Sequence, residues 1–154
     1  MKELTEKEIL KIRKNPNSID WNHISIYKLS EDFIREFKYE VCWSYISCYQ
    51  KLLEVFIREF QDRVNWYYIS LFQELSEDFI REFQDKVYWH FICRKQKLSE
   101  DSIREFQDEV SWHNISEYQK LSECFIREFI KKLNIDCLLN NKNISDELKE
   151  TIRL

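Results

Sequence analysis

The 154 residues contain no glycine, no alanine and one proline, while 16% are aromatic and 34% charged, with a formal net charge of −4. Lack of glycine excludes phosphate-cradling loops of the Walker or dinucleotide type, which need backbone without Cβ beside the ligand. No stretch approaches the roughly 20 apolar residues of a membrane span, and the opening Met1-Lys2-Glu3-Leu4-Thr5-Glu6-Lys7 lacks the apolar core of a signal peptide, so a soluble, intracellular protein is expected.

The first predicted element is a worn helix start, Leu4, Thr5, Glu6 and Ile9, followed by about three extra residues around Asn15-Pro16-Asn17-Ser18. The chain then repeats itself. Trp21, Trp43, Trp66, Trp89 and Trp112 recur at spacings of 22, 23, 23 and 23. The unit reads L-S-E-D-F-I-R-E-F-Q-D-x-V-x-W-x-x-I-S-x-Y-Q-K, with positions one to twenty-three counted from the leucine. Full copies begin at Leu29, Leu52, Leu75 and Leu98. A fifth, from Leu121, keeps its first half and then drifts, with Ile135 in the tryptophan slot; Ile144, Ser145, Asp146, Leu148 and Ile152 echo one more opening.

So short and strict a period predicts stacked supersecondary units and not a domain built round one cleft. The expected fold is all-α, an α-solenoid of about six helix-turn-helix repeats in a single repeat domain spanning 1–154. Residues 1–28 form a degenerate N-terminal cap, 29–120 four full repeats, and 121–154 a degenerate repeat with the C-terminal cap.

Within a unit, the serine at position two (Ser30, Ser76, Ser99, Ser122) caps helix A and acids follow in its first turn. Apolar positions five, six, nine and thirteen, such as Phe79, Ile80, Phe83 and Val87, then make one helical stripe. The second half, as in Val64-Asn65-Trp66-Tyr67-Tyr68-Ile69, is rich in strand-favouring residues. Constant residues at fifteen, eighteen, nineteen and twenty-two nevertheless follow the i, i+3, i+4, i+7 spacing of a helix face. Each unit is therefore expected to be a hairpin of a longer helix A and a shorter helix B. Position nineteen is always small (Ser25, Ser47, Ser70, Cys93, Ser116), predicting a close helix approach governed by steric fit.

Variable slots mark the candidate contact surface. Positions sixteen, seventeen and twenty of helix B carry Tyr45, Tyr67, Tyr68, Leu71, His90, Phe91, Arg94 and His113. Aromatic and arginine anchors dominate protein interfaces, so this ridge is the candidate partner-binding site, the alternative being rings packed on the next hairpin. The arginine column Arg35, Arg58, Arg81, Arg104 and Arg127 could track phosphates. Each arginine, however, has a glutamate four residues earlier, from Glu31 to Glu123, and another beside it at position eight, and nucleic acid is not the expected partner.

His90 and His113 share position sixteen in adjacent copies, about 10 Å apart at the usual helix spacing, which is too far for one metal ion. No catalytic, cofactor or metal set is expected, and the chain reads as a non-enzyme. Five cysteines in scattered slots, Cys42, Cys48, Cys93, Cys124 and Cys137, fit reduced thiols in a cytosol.

The phrases LSEDFIREFQDKV and W-x-x-I-S-x-Y-Q-K resemble tandem repeats of uncharacterised proteins from giant viruses of amoebae, over about Leu29 to Phe129. The loss of Gly, Ala and Pro fits an AT-rich source. The resemblance implies a viral protein in host cytoplasm and brings no catalytic residues. The expected function is a protein-binding scaffold without cofactors, monomeric or weakly self-associating and off the membrane. A nucleic-acid-binding repeat or a structural virion component are the alternatives.

Overall fold

A computed structural model describes residues 2–153 and, for the side chains, residues 2–152. It is all-helical, and no strand occurs among the described residues apart from one isolated bridge between Glu3 and Lys28. The chain forms two compact units, Met1–Gln73 and Glu74–Leu154. The first holds α1 (Glu6–Lys14), a 3-10 turn (Pro16–Ser18), α2 (Trp21–Ser25), α3 (Glu31–Glu36), α4 (Trp43–Tyr49), α5 (Glu54–Glu59) and α6 (Trp66–Phe72). The second holds α7 (Glu77–Glu82), α8 (Trp89–Lys95), α9 (Glu100–Glu105), α10 (Trp112–Tyr118), α11 (Glu123–Phe129), α12 (Ile135–Asn140) and α13 (Asp146–Arg153).

Each unit is a helical repeat stack. In the first, helix B packs on helix B, α2 against α4 and α4 against α6; in the second, α8 packs on α10, and α10 on α12. The core is the predicted one: Phe56, Phe79 and Phe125 at position five, Ile34, Ile57 and Ile103 at six, and Ile46, Ile69, Ile92 and Ile115 at eighteen are inaccessible to solvent.

The helix starts follow the sequence signals. Ser30, Ser76, Ser99 and Ser122 accept the backbone N–H three residues on, and Thr5 with Glu8 forms a reciprocal capping box. Leu53 stands in the serine slot of the second copy and cannot cap, though its N–H still donates to Glu31 Oε1 at 2.9 Å, as those of Ser99 and Ser122 do to Glu77 and Glu100.

Helix A is shorter than the stripe predicts, six residues in α3, α5, α7 and α9 against seven in α4, α6, α8 and α10, so the expected order of lengths is reversed. At position nine Phe37, Phe60, Phe83 and Phe106 leave the helix with φ of −101 to −115° and ψ near 30°. Their rings stay in the core while the backbone turns away, which an apolar pattern cannot distinguish from a continuing helix.

The tryptophan fastens that turn. The Trp43, Trp66, Trp89 and Trp112 indole N–H groups donate to the carbonyls of Lys38, Gln61, Gln84 and Gln107, five residues earlier, at 2.9–3.2 Å. In the worn first copy the 3-10 turn supplies the same acceptor, Pro16 O, to Trp21 at 3.1 Å. The ring faces reach forward onto the next repeat, with centroids of Trp43 and Phe60 4.9 Å apart, Trp89 and Phe106 4.8 Å, and Trp112 and Phe129 5.1 Å.

Two polar positions stitch neighbouring repeats. The serine at nineteen donates to the tryptophan carbonyl one turn back, as Ser47 to Trp43 O at 2.7 Å, and accepts the position-fourteen N–H of the following repeat, as from Asn65 at 2.9 Å. Steric fit alone therefore does not explain this slot, and Cys93 keeps the acceptor role, its sulfur 3.3 Å from Ser111 N. The glutamine at twenty-two lies just past helix B in extended backbone and turns its buried amide onto the loop one period earlier. Gln119 donates to Cys93 O at 2.7 Å and Gln96 O at 2.8 Å, and accepts from Leu98 N at 3.0 Å. In the last copy Asn141, one methylene shorter and one residue earlier in register, makes the two donations to Ser116 O and Gln119 O at 2.8 Å.

Candidate functional site

The helix-B surface differs in chemistry between the two units. In the first, Tyr45 is 38% and Tyr67 41% exposed, whereas Tyr68 and Leu71 are half-buried. The Tyr67 and Tyr68 rings meet edge to face at 5.3 Å. Position twenty-one, outside the predicted ridge, adds Tyr49 at 49% and Phe72 at 53% exposure. Four residues separate position seventeen from twenty-one, one helical turn, and the ring centroids of Tyr45 and Tyr49 are 5.9 Å apart, those of Tyr68 and Phe72 6.1 Å. The exposed aromatic face thus includes a column that the sequence reading assigned to the repeat's constant part because Tyr recurs there.

In the second unit the exposed residues of the predicted ridge are polar. His90, Arg94 and His113 are exposed and Phe91 is half-buried, its ring 5.4 Å from that of His90. Arg94 lays its guanidinium 5.4 Å over the Tyr118 ring. Buried Asn114 donates its amide to His90 O at 2.9 Å and to His90 Nδ1 at 3.0 Å. An amide nitrogen only donates, so Nδ1 is the acceptor and the neutral ring carries its proton on Nε2.

The arginines are neutralised as expected, but chiefly by the position-eight glutamate of the next repeat and not by the glutamate four residues earlier. Arg35, Arg81 and Arg104 reach forward to Glu59, Glu105 and Glu128 of the next repeat at 2.8–2.9 Å, and back to Asp32, Asp78 and Asp101 at 2.7–3.1 Å. The i, i+4 glutamate stands farther off, 3.6 Å for Glu31 and 3.8 Å for Glu100, because it is engaged elsewhere: Glu100 accepts the N–H of Ser122 at 2.6 Å and its hydroxyl at 3.1 Å. Glu77 likewise binds the N–H and hydroxyl of Ser99. Arg127, with Thr151 where the forward glutamate would stand, falls back on Glu123 at 2.6 Å. The Arg81 guanidinium holds the Glu105 carboxyl below its ordinary value.

The histidines are not simply solvated. His23 Nε2 lies 3.1 Å from the Tyr27 hydroxyl. His113 Nδ1 lies 3.5 Å from Cys137 Sγ, and its Nε2 is 3.5 Å from Glu117 Oε2. One ligand atom from each of these three residues falls within 4.8 Å of the others. Position sixteen set against position sixteen of the next repeat does not reveal this grouping. The register that matters is sixteen against seventeen of the next repeat, 24 residues on, as Asn114 against His90 shows. Burial, with Glu117 and Asp136 nearby, pushes the Cys137 thiol up.

All five cysteines are free thiols. Burial raises Cys93 to about 11. No helix among the described residues is long and apolar enough to cross a membrane. No family model, no curated protein and no solved structure matches the chain.

Proposed function

We propose that the chain is a non-catalytic helical repeat scaffold that binds another protein through the aromatic face of α4 and α6. The observation supporting this is the set Tyr45, Tyr49, Tyr67 and Phe72, each at least 38% exposed on consecutive B helices. Large rigid rings give contact area at little entropic cost, and such rings in a group are what an interface core requires. On the repeat-phrase resemblance, the setting is the cytoplasm of an amoeba infected by a giant virus, with a viral or host protein as partner.

The test compares host-lysate partners captured by the wild type and by the triple variant Tyr45→Ser, Tyr67→Ser, Phe72→Ser, with circular dichroism to establish that both are folded. A partner recovered by the wild type and lost from the folded variant supports the reading. A partner retained by that variant refutes the assignment of this face.

One observation favours nucleic acid as the second reading. Arg94, Lys95, Lys97 and Lys120, with one carboxylate, Glu100, among them, line a single concavity of about 600 Å³ in the second unit. Binding of single-stranded RNA that weakens with salt and is lost in the variant Lys95→Glu, Lys97→Glu, Lys120→Glu would carry that reading; no retained probe at low salt would end it. As a structural virion component the chain would instead appear in purified particles.

A further inference from the structure

We propose that His113, Glu117 and Cys137 form a binding site for one zinc-class divalent cation. Imidazole nitrogen, carboxylate oxygen and thiolate sulfur are the donor types this ion takes, at about 2.0–2.3 Å, so tetrahedral ligand atoms stand about 3.3–3.6 Å apart. The two separations in the structure are both 3.5 Å, from His113 Nε2 to Glu117 Oε2 and from His113 Nδ1 to Cys137 Sγ. One imidazole nitrogen ligates. A rotation of the ring or of the carboxylate brings the third donor in, and both can turn without repacking, since the His113 side chain is 63% and that of Glu117 38% exposed.

The backbone fixes the rest. His113 and Glu117 stand one turn apart on α10, so both project from one face. Cys137 is carried by α12, which packs directly on α10. The Glu117 carboxylate also lies close enough to Tyr118 to push its phenol up from the ordinary value. Charge also balances, because deprotonation of Cys137 on binding leaves a thiolate and a carboxylate against a doubly charged ion.

The same three groups resemble a thiol nucleophile with its base and orienting acid, and two features oppose that use. The Cys137 N–H, the donor a developing oxyanion would need, is already bonded to Asn134 Oδ1 at 2.9 Å. Burial first, and then the Glu117 and Asp136 carboxylates, also disfavour an isolated thiolate. The preceding repeat has His90 in the matching slot but Arg94 and Asn114 where Glu117 and Cys137 stand, so the expected stoichiometry is one ion per chain.

Cobalt(II) is the probe, because thiolate ligation gives a near-ultraviolet charge-transfer band and tetrahedral geometry gives intense visible bands. The full-length wild type should bind one equivalent with both signatures and release it to zinc. The charge-transfer band should persist in Cys124→Ser and vanish in Cys137→Ser, and affinity should fall about ten-fold or more in His113→Ala and Glu117→Gln. Exposed His113 provides a variant that keeps the fold should Cys137→Ser lose it. No charge-transfer band at saturating cobalt, a band unchanged in Cys137→Ser, or an affinity unchanged in His113→Ala would overturn the site.

Discussion

The side-chain oxygen of Gln73 accepts the backbone N–H of Leu52, 21 residues earlier, at 3.0 Å. The same amide donates to Ser47 O at 3.0 Å and Gln50 O at 2.8 Å, so one side chain satisfies three backbone groups of a buried loop. Replacing it by an isosteric apolar residue strands all three. Gln73→Leu should lower stability by about 3 kcal/mol or more, read from urea unfolding. A change below about 1 kcal/mol would show that the loop finds other partners.

Trp43 separates packing from hydrogen bonding. Trp43→Phe keeps a ring against Phe60 but removes the N–H that Lys38 O accepts, and should cost about 1 kcal/mol, whereas Trp43→Ala should cost about 3–4 kcal/mol. Equal losses in the two variants would contradict the proposed division.

The ladder of charges makes the fold acid-sensitive in a defined direction. Glu105 has a folded pKa depressed below its ordinary 4.5, chiefly by hydrogen bonding to Arg81. Its contribution is therefore fully present above about pH 5 and is lost as pH falls through the depressed value. Thermal midpoints measured from about pH 6 down to about pH 3 should fall less steeply in Glu105→Gln than in the wild type. Parallel curves would remove this pair from the account.

Thiol chemistry should sort by burial. Cys124 is exposed, whereas Cys93 is inaccessible and titrates near 11. Alkylation of the folded protein near pH 8 should label Cys124 and leave Cys93 untouched by mass spectrometry, until denaturant exposes it. Early labelling of Cys93 would indicate that α8 opens in the native state.

Ser102 occupies position five, where the other full copies hold Phe33, Phe56 and Phe79, and it is buried. The local helix start already suits phenylalanine, so Ser102→Phe should raise the urea midpoint by an equivalent of about 1 kcal/mol. A decrease would mean that neighbouring side chains have filled the space.

The period, the all-α class and the serine caps are legible because each rests on local pattern. Helix A was read too long because Phe37 and its equivalents keep apolar side chains in register while their backbone departs from α. For Arg35 only the glutamates of its own helix, Glu31 and the adjacent Glu36, are visible in sequence; Glu59 becomes a partner only when the stacking offset is known. The same offset hid His113 from Cys137. Gln50 and Gln73 read as members of a helix face, whereas they sit one residue beyond it and face a different repeat. Tyr49 and Phe72 stand in a slot where Tyr recurs, and recurrence does not distinguish an exposed position from a buried one.

None of the described residues has a positive φ. Every bend among the described residues is thus made from backbone that any L-residue adopts, and none of them reserves a place for glycine. A chain without glycine can therefore still gain or lose whole 23-residue modules. Such changes in copy number would be limited by the fit of side chains at each new junction, and not by the connections that join one helix to the next.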